Sequence, residues 1–570
     1  MSSHLYKFRR NRARLSFVPS GMRKLFASLL IGVTFAGSVY ANEISVHSLQ
    51  SGTQFGGTPI HDHGIHGENQ IIAVLDTGLD INLCYFAEPD GSAPPINTGT
   101  PNGGLQSDHV NPARRKVIAY DFLYSCDQYP AANGCDNPAN ALDYDNQGHG
   151  THAAAAAAGD RLPAIAHDYA DSIAPGAKLV IQDAGYVGGD NCSQRPGIGC
   201  PVNLTPILDQ AYKQGARIHS NSWGDRQGVP VPLPSPTANY SQSAHDVDAF
   251  VYAHPDVLVV FNTGNGSDLN PPASSLSAPG CAKNTLQVGG TRTQTRADDI
   301  LAGFSLIGPT RDGRIKPDVV GPAWVTAGDA KIITNNECGV TQQGGTSWSS
   351  PTIAGAAALV RQYYSDGFYP TGVATPSNRF TPSAALLKAT IIAAAHRIAD
   401  RQTSSTDAVA LPTPSPEQGF GFPVLDDALY FPGDRAKLRV ADVPLASGLA
   451  QNESSTIRLN IRADTPFKAV LAWTDPAGVV RGNNDSTPEL VNDLDLTVVT
   501  PSGALLNGNG HPDHLNNVEG VSLDAPENGM YTITVNASHI AQGPRQSYAL
   551  VITGDVDDTV TVSRHRAARH

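Results

Sequence analysis

The chain is 570 residues long and carries 39 Lys and Arg against 52 Asp and Glu, a formal net charge of −13. That balance argues against a nucleic-acid partner, since a phosphate backbone is met by clustered positive charge. With 40% hydrophobic residues there is ample material for a core, and the length prior alone suggests several domains.

Taken in chain order, Lys7, Arg9, Arg10, Arg12, Arg14, Arg23 and Lys24 precede an apolar stretch from Leu25 to Gly37, and Val39-Tyr40-Ala41 closes it as a cleavage site. Residues 1–41 therefore read as a signal peptide, with Met22 as a second candidate start. The stretch is shorter than the roughly 20 residues that span a bilayer, so a secreted or periplasmic chain without a stable membrane span is expected. Ile71 to Leu75 is an apolar run suited to a central parallel strand, and it ends in Asp76-Thr77-Gly78. A carboxylate is thereby left at the strand's carboxyl end, where open α/β sheets keep their crevice. Gly148-His149-Gly150-Thr151-His152, followed by six alanines, opens a strong helix former with both histidines on neighbouring parts of one face. Residues 216–224 have strand character, and Val257 to Phe261 is a buried strand running into Asn262-Thr263-Gly264-Asn265-Gly266. Finally, Gly344-Gly345-Thr346-Ser347-Trp348-Ser349-Ser350-Pro351 sets Ser347 at the joint between a glycine turn and a buried helix that continues to Tyr364. Pro351 is tolerated there because it falls in the helix's first turn.

Taken alone, Ser347 reads either as a helix N-cap or as a nucleophile. A hydroxyl attacks only with a histidine base in reach and a carboxylate to orient that histidine, and both occur upstream in Asp76 and His149. At a helix start, free N–H groups and the positive end of the helix dipole suit an oxyanion, which calls for a second donor besides the Ser347 N–H; the loop after the Val257 to Phe261 strand offers two asparagines, Asn262 and Asn265.

These segments together resemble the subtilisin family of serine proteases (subtilases, peptidase family S8). Asp76-Thr77-Gly78 matches its aspartate motif, His149-Gly150-Thr151-His152 its histidine motif, and Gly345-Thr346-Ser347 with Ser350-Pro351 its serine motif, in the order Asp, His, Ser known for that family. The resemblance implies a serine endopeptidase with an α/β catalytic domain, a parallel sheet with helices on both faces. It implies His149 as base, His152 as a structural residue, and Asn265 with the Ser347 N–H as oxyanion hole. It further implies that Ser222, Trp223 and Gly224 line one side of a cleft for an extended polypeptide held through its main chain, with Gly188 and Gly189 on the opposite wall. A monomer with no nucleic-acid partner and no organic cofactor is expected. Only residues 42 to 75 separate the cleavage site from Asp76, so the chain is expected to fold without the family's usual propeptide, to manage latency otherwise, or to come from a truncated gene model. Trp348-Ser349 and the insertion from Cys84 to Asp145 depart from the simplest members.

Residues 42–432 are assigned to the catalytic domain. Beyond Pro432-Gly433-Asp434 the pattern changes to period two, as in Thr456 to Ile461 and Tyr531 to Val535, with turns at Pro501-Ser502-Gly503 and residues 507–510. Residues 433–555 are therefore expected to form an all-β antiparallel sandwich, followed by a polar tail over 556–570. This part resembles the C-terminal jelly-roll domain of one branch of the family through residues 471–475, 490–496 and 516–519. By that resemblance and by carboxylate chemistry, Asp475, Asp493, Asp495 and Glu519 are candidates for a structural calcium site, the alternative being a solvated polar sheet face. Seven cysteines in an exported chain imply disulfides. Cys126 with Cys135 and Cys192 with Cys200 could each close a short loop, and Cys281 could join Cys338 with Cys84 left odd; Cys84 with Cys126 is the competing pairing. Two further readings stand beside the protease: a pseudoprotease that only binds, and an adhesin whose sandwich is the working part.

Overall fold

A computed structural model describes residues 41–54, 56–98, 105–123, 145, 148–162, 168–185, 203–224, 238–266, 271–292, 300–330, 339–398, 400–401, 411–482, 485–557 and 561–565. Residues 1–40 of the proposed signal peptide, Gly188, Gly189, Cys126, Cys135, Cys192, Cys200 and Cys338 lie outside the described residues.

The centre of the chain is a ten-stranded mixed sheet built from β1 (Ile71–Asp76), β2 (Ile96–Thr98), β3 (Val117–Phe122), β4 (Lys178–Asp183), β5 (Ile218–Asn221), β6 (Leu258–Asn262), β7 (Leu286–Thr291), β8 (Ile300–Leu301), β9 (Val319–Pro322) and β13 (Asp400–Arg401). The order β13-β8-β7-β6-β5-β1-β4-β3-β2, with β9 also on β7, puts β1 in the middle, parallel to both β4 and β5. Near-continuous Val, Ile, Leu and Ala are what such two-sided burial selects. Alternate β1 residues serve different layers. Ile72 and Val74 belong to the main core with the alanines of α3 (His149–Ala158) and the apolar residues of α6 (Thr346–Ser365), while Ala73 clusters with Ile118, Val180 and Ala211 of α4 (Thr205–Lys213). The stretch from Cys84 to Asp145 is no mere surface insertion, because it supplies β2 and β3.

Around this sheet lie α1 (Ala41–Ser51), α2 (Pro59–Asp62), α5 (Gln242–Ala253), α7 (Ala384–Ala393) and the short pairs β10 (Trp324–Gly328) with β11 (Val340–Gly344) and β12 (Ala395–His396) with β14 (Phe422–Pro423). Val46 and Leu49 of α1 are fully buried in the same core as β1. No described helix is long and apolar enough to cross a membrane.

The C-terminal part forms two antiparallel sheets, β15 (Lys437–Val443), β22 (Tyr548–Gly554), β17 (Phe467–Ala472) and β20 (Val518–Leu523) in one, and β19 (Leu505–Asn507), β18 (Asn492–Val499), β21 (Gly529–Ile540), β16 (Ser454–Ile461) and β23 (Thr561–His565) in the other. Between them pack Leu459, Leu471, Leu496, Ile533 and Ile552. The polar tail expected after residue 555 is in part a strand: Thr561–His565 pairs with β16, where its backbone completes the edge. Val470, Ala472, Ala549 and Val551 turn the other way and join the main core, so the first sheet is covered on both faces.

A buried ion pair crosses the same boundary. Lys283, just before β7, donates from Nζ to Asp475 Oδ2 at 2.5 Å, Pro476 O at 2.6 Å and Glu489 O at 2.7 Å. The cysteine expectation also needs correction. Cys281 is a buried thiol whose Sγ donates to Asn239 O at 3.1 Å, so it does not bridge to Cys338, and Cys84 is disulfide-bonded and thus not the odd residue.

Candidate active site

Asp76 closes β1 and is nearly fully buried, with one oxygen, Oδ1, accepting from Thr77 N–H at 2.8 Å. The same oxygen accepts from His149 Nδ1 at 2.7 Å. That bond puts the imidazole proton on Nδ1 and leaves Nε2 open as a base. Burial works against the imidazolium, but the charge and hydrogen bond of Asp76 outweigh it and hold the His149 pKa above its ordinary value. Asp76 Oδ2 has no hydrogen-bond partner among the described residues, so its charge is little spent elsewhere.

His149 is held at the first residue of α3 by a buried carboxylate that the motif reading missed. Asp145 accepts from Gly148 N–H and Thr151 N–H, both at 2.8 Å, and from Thr151 Oγ1 at 2.6 Å. These are amide groups that a helix start leaves without partners. Asp145 also accepts from Thr77 Oγ1 at 3.1 Å, and Thr77 Oγ1 in turn accepts from Gly150 N–H at 2.9 Å, so one cluster ties the helix start to the residue after Asp76. The approach is close enough to require glycine: a Cβ on Gly150 would lie 2.2 Å from Gly78 O. An acidic residue shortly before a glycine-led helix was the available signal. His152, three residues on, is fully buried against Val325 O, with Nε2 at 3.2 Å, and burial pushes its pKa down to about 3.

Ser347 is the second residue of α6 and is 4% exposed. It is not the N-cap; Gly345 is. Ser347 Oγ donates to Ser222 O at 3.3 Å and Ser222 Oγ donates back to Ser347 O at 2.7 Å, which joins the end of β5 to the helix start. Asn265 Oδ1 accepts from Thr346 N–H at 2.9 Å and Thr346 Oγ1 at 3.0 Å, fixing which end of the amide faces outward. Asn262 instead is fully buried at the end of β6. Trp348 lies against the His149 ring, centroids 4.8 Å apart, and edge-on to His152 at 4.3 Å. Beside Ser222, the Trp223 ring turns into the core against Phe261, and Gly224 is buried against Ser277.

Of the four calcium candidates, Asp475 is separated from the rest by its role. Both its oxygens are engaged, by Lys283, by Val491 N–H at 2.9 Å and by Asn492 N–H at 2.8 Å. Asp493 and Asp495 do converge, joined by His514, which the motifs did not suggest: ligand atoms of the three lie within 4.8 Å of one another. Asp493 Oδ1 and Glu519 Oε1 are buried with no hydrogen-bond partner among the described residues.

The model of the "Subtilase family" matches residues 67–421. This chain belongs to that family. The subtilase is 26% identical over 622 residues to "Serine protease/ABC transporter B family protein tagA" of Dictyostelium discoideum, an alignment covering 90% of this chain and 32% of that protein. It is likewise 26% identical over 625 residues to tagB of the same organism, covering 87% and 30% respectively. It thus spans about a third of the length of these curated relatives. Among solved structures it is similar to the prenylagaramide maturation protease PagA at 17% identity and a TM-score of 0.37, over 60% of this chain and 87% of that one.

Proposed function

We propose that the chain is an exported serine endopeptidase that cleaves polypeptides through a Ser347-His149-Asp76 triad. The observation that carries this reading is the 2.7 Å bond from His149 Nδ1 to Asp76 in a chain whose serine motif begins a buried helix. In the acylation step His149 Nε2 takes the Ser347 Oγ proton as Oγ bonds to the scissile carbonyl carbon, and the carbonyl electron pair moves onto oxygen. Ser347 N–H and Asn265 Nδ2 receive that oxyanion. His149 then protonates the leaving amine as the C–N bond breaks, and water reverses the sequence to free Ser347. Asp76 holds the imidazole through its Nδ1 proton and stabilises the imidazolium that forms.

Ser222 to Gly224 serve as the main-chain edge for an extended substrate. The enzyme acts as a monomer. Export follows from residues 1–41, and the disulfides suit that destination. Calcium stabilises the sandwich through Asp493, Asp495 and Glu519; the orphaned buried oxygens Asp493 Oδ1 and Glu519 Oε1 fit a cation, while Asp475 does not belong to the set.

Ser347→Ala tests the central claim. It should abolish peptide hydrolysis and labelling by a fluorophosphonate while leaving the fold intact, and retained cleavage would refute the triad. Asn265→Ala should lower kcat by about 10² to 10³, the general cost of removing one oxyanion donor, with KM nearly unchanged.

A further inference from the structure

The residue after Ser347 carries a donor that the mechanism above leaves unused. Trp348 is 4% exposed, and its indole Nε1 has no hydrogen-bond partner among the described residues. A buried N–H without an acceptor is costly, so native structures seldom keep one without a use for it. Its position gives the use. A Cβ built on Gly345 would lie 3.4 Å from Trp348 Nε1 and 3.7 Å from Asn265 Nδ2, so both nitrogens border the same small volume over the Gly345 Cα. Gly345 stands two residues before Ser347, whose N–H, at a helix start, has no intrahelical acceptor. Asn265 is locked with Oδ1 toward Thr346, which keeps its Nδ2 facing outward. The indole is locked as well, by the His149 and His152 rings packed on it.

We propose that Trp348 is a catalytic residue, its Nε1–H donating to the substrate's acyl oxygen as negative charge develops there, as a third donor beside Ser347 N–H and Asn265 Nδ2. The proposal rests on the triad reading above. As Oγ bonds to the carbonyl carbon, the π electron pair moves to oxygen and the Oγ proton passes to His149; no proton leaves Trp348. A donor fixed in a water-poor site needs no reorganisation when the charge appears, which is why it favours the transition state over the ground state. Among large apolar side chains only tryptophan combines a ring able to pack on His149 with an N–H to give.

The test separates the ring from its N–H. Trp348→Phe keeps an aromatic ring, and replacement of Trp348 by 3-benzothienylalanine keeps the bicyclic shape with sulfur in place of N–H. Turnover of a fluorogenic peptide and inhibition by a peptide aldehyde, which captures serine as a tetrahedral adduct, are measured for wild type, both variants and Asn265→Ala. Both Trp348 variants should lose at least about 10-fold in kcat and in aldehyde affinity, with KM within about 2-fold and the His149 limb of the pH profile unmoved. Wild-type kcat and aldehyde affinity in the benzothienyl variant would overturn the proposal, as would a loss confined to Trp348→Phe, which would report packing alone. Failure of the triad reading looks different, because the wild-type chain would then show no Ser347-dependent turnover at all.

Discussion

Replacing Lys283 by methionine should destabilise the chain more than any surface charge could. Lys283 is fully buried, and the change removes one carboxylate partner and two carbonyl partners while keeping side-chain length. Burial already pushes the Asp475 pKa up, and Lys283 is the chief influence opposing it. Without Lys283 the carboxylate keeps only the Val491 and Asn492 amides. Breaking a buried pair on one side costs about 3–5 kcal/mol, because an uncompensated charge is left behind. Against a total stability of roughly 5–15 kcal/mol, that is a large share. The measurement is urea unfolding in a Ser347→Ala background, which prevents self-digestion, followed by tryptophan fluorescence; Trp473, nearly fully buried in the sandwich, is one reporter. Adding Asp475→Asn removes the stranded charge and keeps an acceptor for one amide, and should recover about 2 kcal/mol. A loss below about 1 kcal/mol in the single variant, or a double variant no more stable than the single, would refute this reasoning.

Asp145→Ala should cost about 1–2 kcal/mol, the value of a lost helix cap, and lower kcat/KM more than 10-fold by loosening the start of the helix that carries His149; thermal melting and steady-state kinetics check the two effects separately. The pH profile follows from the raised pKa of His149. His149 must be neutral to accept the serine proton, so kcat/KM should fall as pH drops through a value above the ordinary histidine pKa, and Asp76→Asn should move that limb to lower pH while reducing the rate by about 10⁴. Adding a chelator should lower the melting temperature, and Glu519→Gln should abolish that sensitivity; an unchanged melting curve in wild type would remove the calcium assignment.

Much of the scaffold could be read locally. The apolar runs of β1 and β6, the alanines of α3 and the period-two segments of β16 and β21 each specify an element through neighbours a few residues away, and Asp76, His149 and Ser347 stand at the ends of such elements. What the sequence could not contain was the partner of each polar group. Asp475 was a calcium candidate by resemblance and carboxylate chemistry, yet its counter-ion is Lys283, 192 residues distant. His514 joins Asp493 and Asp495 through folding of the sandwich, and Cys281 stays a thiol beside Asn239. Asp145 lies close to His149 in sequence, but its purpose appears only where Thr77 meets the same carboxylate. Local hydrophobic periodicity and propensity therefore determined the elements and the motif residues at their ends. Only the tertiary structure decided which buried donor meets which acceptor, because burial makes each unpaired polar group costly and supplies its partner from anywhere in the chain.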